Sequence, residues 1–240
     1  MDRKSLMGLR ERQKANRRNR ILDVAKTRFQ TDGYAATTVE QIAKEADVSV
    51  VTVYNYYDSK AGLLLALVRE SDQLLIRQLK TMIARKPVDL IDSVASFGQI
   101  LRGHAMSYLT KSTWREVLSS SIHEGSGEFG RTYTALDDIL VDLMQSMVQK
   151  FQEHGIVPMA VDSRHLADCL FSLQNIRFFQ FIADDDLDDE EINGRLRNDL
   201  SALRCVFSTP DQTKDGNDPA QGKPARKASG PRSDVETGSA

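Results

Sequence analysis

The chain has two cysteines in 240 residues, Cys169 and Cys205, too few for a disulfide scaffold and suited to a compartment that keeps thiols reduced. No apolar run approaches the ~20 residues that a membrane helix needs, so no membrane partner is expected. The charged N-terminus has neither the apolar core nor the small-residue cleavage site of a secretory signal, and a cytoplasmic protein is the default expectation. Catalytic patterns are missing too. His104, His123, His154 and His165 form no catalytic motif, there is no phosphate-binding loop or nucleophile signature, and neither an enzyme nor a cofactor is expected. Asp162, His165 and Cys169 share a helical face at metal-like spacing, but without a fourth ligand they read as ordinary packing, with no metal. The acidic run "DDDLDDEE" lacks the glycine and ligand alternation of a calcium loop and reads as a helix N-terminus, where carboxylates suit the helix dipole.

What is present is ordinary globular material, 40% hydrophobic and 28% charged, with its charge unevenly placed. The net charge of −2 conceals a basic end: residues 1–20 hold eight Lys and Arg against Asp2 and Glu11, and residues 1–16 read as a basic flexible arm. From Ser208 onward the chain carries four of its six prolines, no aromatic residue and a single branched aliphatic, Val235. Such a segment cannot bury enough apolar surface to offset its ordering entropy, so 208–240 is expected to be a disordered, solvated tail.

Between the ends the period is helical. In "RRNRILDVAKTRFQTDG" the residues Ile21, Leu22, Val24, Ala25 and Phe29 keep to one face, and Gly33 supplies a C-terminal stop. "TTVEQIAKEAD" opens with Thr38 three residues before Gln41, the spacing of a capping box. "DSKAGLLLALVRESDQLLIRQLKTMIAR" sustains an apolar stripe over several turns, and helical stretches follow at about 88–110, 113–124, 132–154, 162–183 and 189–207. The fold class expected is all-α.

One stretch dissents. "SVVTVYNYYDSK", residues 49–60, is rich in β-branched and aromatic residues that favour strands. A lone strand would leave its backbone groups unpaired, and the flanks argue for helix. Asp47-Val48-Ser49 reads as a turn, Ser49 as an N-cap, and Val48 with Val53 as a hydrophobic staple. On a helix over 50–56, Val53 and partly Tyr57 point inward, while Val50, Val51, Thr52 and Asn55 face out. A basic arm, a three-helix unit and a projecting second helix after a tight turn have the geometry that sets a recognition helix in the DNA major groove.

"RILDVAKTRFQTDGYAATTVEQIAKEADVSVVTVYNYYDSKAGLL" resembles the DNA-binding domain of TetR/AcrR-type bacterial transcriptional regulators, at Ala25, Phe29, Gly33, Tyr34, Thr38, Ile42, Ala43, Ala46, Val48, Ser49, Tyr54, Lys60, Leu63 and Leu64. The resemblance covers about residues 17–65. Asp47 stands where the family usually has Gly in the turn, Val51 replaces a common Gly or Pro, Tyr57 a usual Phe and Ala61 a usual Glu. It implies a helix-turn-helix domain over 17–62, a helical ligand-binding and dimerisation domain over 63–207, a homodimer, and a palindromic DNA operator released by a small-molecule effector. It further implies that Thr38, Tyr54, Tyr56 and Lys60 meet phosphates, with Ser49 also among the DNA-binding residues where it opens the recognition helix. Base reading then falls to Val50, Val51, Thr52 and Asn55, since methyl groups can touch the thymine methyl and Asn can pair with adenine. With no Arg or Lys between Ser49 and Tyr57, an A·T-leaning half-site is expected.

Candidates for an effector pocket are Phe97, Leu101, His104, Tyr108, Trp114, Ile122, Met144, Gln174, Arg177 and Phe178, each also readable as core. Arg177 is a charge within the apolar "CLFSLQNIRFFQFIA" and needs a partner, either an anionic ligand or a salt bridge. The helices at ~132–154 and ~162–183 are apolar enough for a four-helix dimer interface. A different reading of the same residues is a DNA-binding nucleoid or cell-division factor that answers to no small molecule; a genome-wide binding map with few sites or with many separates the two.

Overall fold

A computed structural model describes residues 3–204, with side chains from residue 11, and the expected tail over 208–240 lies outside the described residues. Among the described residues there are nine helices and no strand: α1 (Arg3–Thr31), α2 (Val39–Glu45), α3 (Val50–Tyr57), α4 (Lys60–Ala84), α5 (Leu90–Tyr108), α6 (Lys111–Glu124), α7 (Glu128–Glu153), α8 (Ser163–Ala183) and α9 (Asp189–Ala202). All lie in one compact unit.

The segment 49–57, strand-like by propensity, is the helix α3. Ser49 Oγ accepts from the Thr52 N–H at 3.1 Å, Val53 is fully buried in the core, and half-buried Val48 packs against that core. A cap and tertiary packing outweigh a propensity difference of a few tenths of a kcal/mol per residue. The arm expected to be flexible over 1–16 is helical from Arg3 onward. Its Leu, Met, Arg, Lys, Gln and Glu are good helix formers, and a helix anchored at Ile21 and Phe29 extends outward by one hydrogen bond per residue. Residues 11–20 are exposed throughout and burial begins at Ile21.

α1, α2 and α3 close around Ile21, Ala25, Phe29, Ile42, Ala46 and Val53, all essentially inaccessible. α4 is continuous across the expected domain boundary at 62/63. Its N-terminal half buries Leu63, Leu64 and Leu67 against that unit, and Leu75 and Leu79 continue into the second group of helices. Leu74 sits one residue off that face and is 46% exposed. Lys150 of α7 donates to the carbonyls of Ile83, Ala84 and Arg85 at 2.8, 2.7 and 2.6 Å, satisfying the free C-terminal end of α4.

α7 and α8 pack along each other, α5 against α9, and α4 against α5 and α7. α7 begins four residues before its expected start. The glycines of "GSGEFG" read as a separator, yet Phe129 is buried and Gly130 lies so close to the Gly125 carbonyl that an added Cβ would stand 1.8 Å from its oxygen. Asp188 caps α9, and Asp189, Glu190 and Glu191 fill its first turn, so the acidic run is a helix N-terminus.

Candidate functional site

The turn between α2 and α3 is built by backbone geometry. Asp47 has φ 51°, the Asp47 N–H donates to the Lys44 carbonyl at 3.2 Å, and the Val48 N–H donates to that of Ala43 at 3.0 Å. These are the two bonds of a Schellman ending, with Asp47 in the left-handed position usually taken by Gly. Arg20 of α1 donates to the Asp47 carbonyl at 3.1 Å, and Arg28 pairs with Glu45 at 2.7 Å, so α1 holds the turn from outside.

Thr38 opens α2 with a full capping box: its Oγ1 accepts from the Gln41 N–H at 3.2 Å, and the Gln41 side chain accepts from the Thr38 N–H at 2.8 Å. The Thr38 hydroxyl proton stays free to donate outward. On α3, Val51 is 66% exposed, Tyr54 is 43% exposed and Asn55 is exposed. Two residues expected to face out are less available. Val50 is half-buried against the core, and half-buried Thr52 shares a 2.8 Å hydroxyl hydrogen bond with Ser49. Neither the Tyr54 nor the half-buried Tyr56 hydroxyl makes a hydrogen bond within the described residues, whereas buried Tyr57 donates to the Arg18 carbonyl at 3.0 Å. Burial pushes the Tyr57 phenol up to about 12. Lys60 is folded back, its Nζ 4.2 Å from the centre of the Tyr34 ring and 3.4 Å from the Ala35 carbonyl, and burial lowers its pKa. An added Cβ on Gly62 would lie 1.9 Å from the Tyr57 carbonyl oxygen, so this α3–α4 corner requires glycine.

This basic, exposed face has relatives. Residues 21–67 match the family described as "Bacterial regulatory proteins, tetR family". Over these residues the chain carries a TetR-family DNA-binding segment. The HTH-type transcriptional repressor KstR of Rhodococcus jostii is 37% identical over 81 residues, which are 33% of this chain and 38% of that repressor's length. A transcriptional regulator from Saccharomonospora viridis, solved with choline, superposes with a TM-score of 0.61 at 18% identity over 82% of this chain and 100% of that one. FadR of Bacillus subtilis, solved with stearoyl-CoA, gives 0.56 at 16% identity over 77% and 96%. At such identities the likeness bears on the fold alone.

The candidate effector residues scatter. Leu101, His104, Trp114 and Phe178 line one cavity of about 30 Å³ among α4, α5, α6, α7 and α8. Phe97, Met144 and Gln174 are fully buried but do not line it, and Ile122 is 78% exposed on α6. Tyr108 lies outside, with its ring 6.1 Å from that of His104 and under Lys26 of α1. Arg177 is held by Asp199 through two hydrogen bonds of 2.7 Å and by Gln180 at 2.8 Å, so its partner is internal. The fully buried cation is Arg102, bonded to Asp189 at 2.6 Å and Asn193 at 3.2 Å. Asp162, from the metal-like trio, caps α8 by accepting from the His165 N–H at 2.9 Å.

The cavity also brings in residues not read as candidates: Asp72, Tyr133, Asp137 and Asn175. Burial pushes the Asp72 carboxyl up to about 6, with Arg69 opposing, and pushes Asp137 up to about 7, with Asp138 adding to the effect. Burial also lowers the His104 pKa. The signal was available in part. Asp72 falls four residues after Val68 and three before Leu75, on the inward face of α4.

Proposed function

We propose that this chain is a sequence-specific DNA-binding transcriptional regulator, a homodimeric repressor that leaves a palindromic operator when a small molecule enters its helical domain. The observation that carries the DNA reading is the outward face of α3: an exposed valine, tyrosine and asparagine on a capped helix behind a Schellman turn, beside a basic α1. A merely solvated helix gains nothing from a 66% exposed Val51, whereas a thymine methyl would cover it. Tyr54, Tyr56, Thr38 and Lys60 are assigned to phosphates, Lys60 after leaving Tyr34, and Val51 and Asn55 to bases, with Val50 and Thr52 at the margin of the contact.

Repression is supported by the likeness to KstR over the DNA-binding region, and ligand response by neighbours of this fold that hold choline and stearoyl-CoA. A homodimer through α7 and α8 is supported by Ile139 and Ile176, 42% and 49% exposed on those helices.

Selection of bound sequences from random duplexes tests the reading. The expected result is an inverted repeat with A·T-rich contacted positions, lost with Asn55→Ala at one base position per half-site and weakened evenly over all sites with Lys60→Ala. Salt-sensitive binding without any preferred sequence overturns it and favours the nucleoid-type factor.

A further inference from the structure

Ligand-bound neighbours of this fold hold a cationic choline in one case and an anionic acyl-CoA in another, so the fold leaves the charge of a ligand open. The lining of this chain's cavity decides it. We propose that the cavity among α4, α5, α6, α7 and α8 takes an organic cation, an ammonium on an apolar or aromatic body, with its charge met by Asp72 and Asp137 and its body by Trp114, Tyr133 and Phe178. The assignment rests on the ligand-responsive reading above and names the chemical class.

The titratable groups facing the cavity are Asp72 from α4, His104 from α5, and Tyr133 and Asp137 from α7; the α6 and α8 residues that line it are Trp114, Asn175 and Phe178. No arginine or lysine lines it. Of the nearby arginines, Arg102 pairs with Asp189, Arg115 with Asp185 and Arg177 with Asp199, while Arg69, three residues before Asp72 on α4, acts on Asp72 through its charge without forming an ion pair with it. Neither Asp72 nor Asp137 has an ion pair among the described residues, and Asp72 Oδ1 is buried with no hydrogen-bond partner. His104, 7% exposed, lines the same cavity, and its Nε2 is likewise unpartnered. Such groups cost free energy unless something fills the space that can answer them. An anion would add repulsion, and a neutral body would leave the carboxyls unanswered. A cation answers both carboxylates and finds three aromatic rings for its apolar part. A metal ion fits poorly, because no three His, Cys, Asp or Glu side chains among the described residues gather closely enough to hold one.

Benzyltrimethylammonium and phenethylammonium, titrated calorimetrically into the full chain beside 2-phenylethanol and phenylacetate, test this. The cations are expected to bind at least about tenfold more tightly than the alcohol, with phenylacetate weakest. Asp72→Asn and Asp137→Asn should each weaken the cations about tenfold and leave the alcohol unchanged, while melting no lower than the parent. The charge of benzyltrimethylammonium is permanent, so its affinity should rise from pH about 5.5 to about 7.5 as the two carboxyls, raised by burial and influenced by Arg69 and Asp138, lose their protons. Absence of cation binding at millimolar concentration overturns the assignment, as does binding no tighter than the alcohol, or variants that fold and bind the cations as the parent does. A fluorescent operator in the same cuvette separates the two claims. Cation binding that leaves DNA bound upholds the chemical class and overturns the ligand-responsive reading, and DNA release without a cation preference does the reverse.

Discussion

Asp47 shows how one residue can carry a turn. Its φ of 51° is a conformation that Asp tolerates and most side chains do not. Asp47→Ala should therefore cost about 1 kcal/mol in chemical denaturation and Asp47→Gly should not. An equal loss in both would point to the side chain and away from the backbone. The carboxyls of the cavity act in the opposite direction to most surface acids. Asp137 holds its proton more tightly in the folded chain than in the unfolded one, so its contribution to stability is complete below the unfolded value near 4 and disappears as pH rises through about 7. Asp137→Asn should flatten the fall in stability between those pH values and leave a gain on the order of 2–3 kcal/mol at pH about 8. Urea melts across pH read this directly. Asp47 was legible in the sequence because turn chemistry is local. Asp137 was not, because its burial is a property of the helices around it.

At the scale of elements, periodicity and caps located the helices, while propensity alone misread α3. Ser49 was visible as a signal before any packing was known, and its cap is what opens the helix, while Val53 is buried in the core against which Val48 packs. The starts of α1 and α7 were less legible. Nothing in a basic stretch says whether it will continue an anchored helix, and three glycines near one phenylalanine hide the packing of Phe129. Lys150 had no sequence signal, yet it supplies donors to the last three carbonyls around the end of α4. Lys150→Met keeps the stem and removes the charge. It should cost roughly 1.5–3 kcal/mol, and hydrogen exchange should quicken in the last turn of α4 before it does in α1. Unchanged exchange there would mean that the carbonyls find other partners.

Over the whole molecule, α1 is tied to the α5–α6 corner: Gln30 donates to the Tyr108 carbonyl at 2.8 Å, Thr113 donates to that of Phe29 at 3.3 Å, and Lys26 lies 3.7 Å from the centre of the Tyr108 ring. Tyr108 in turn stacks beside His104 of the cavity. A three-helix unit fastened to both α4 and this corner moves with them, which is what the proposed function needs if a ligand among α4, α5 and α7 is to alter the spacing of two recognition helices, ~34 Å or a multiple of it on DNA. Dimer formation through α7 and α8 predicts that Ile176→Glu sediments as a monomer and loses operator affinity while its melting changes little. A persistent dimer would place the interface on another face.

A cavity of about 30 Å³ holds little more than a water molecule, so an organic body requires its lining side chains and helices to move apart. The proposed ligand response would therefore carry a built-in clock. A ligand would enter only after the helices around the cavity part, a motion of the microsecond-to-millisecond class. In rapid mixing, the observed binding rate should climb with ligand concentration and then level at the opening rate of the empty protein, whatever the affinity of the ligand used. A rate that keeps rising in proportion to concentration would mean that the cavity stands open in solution.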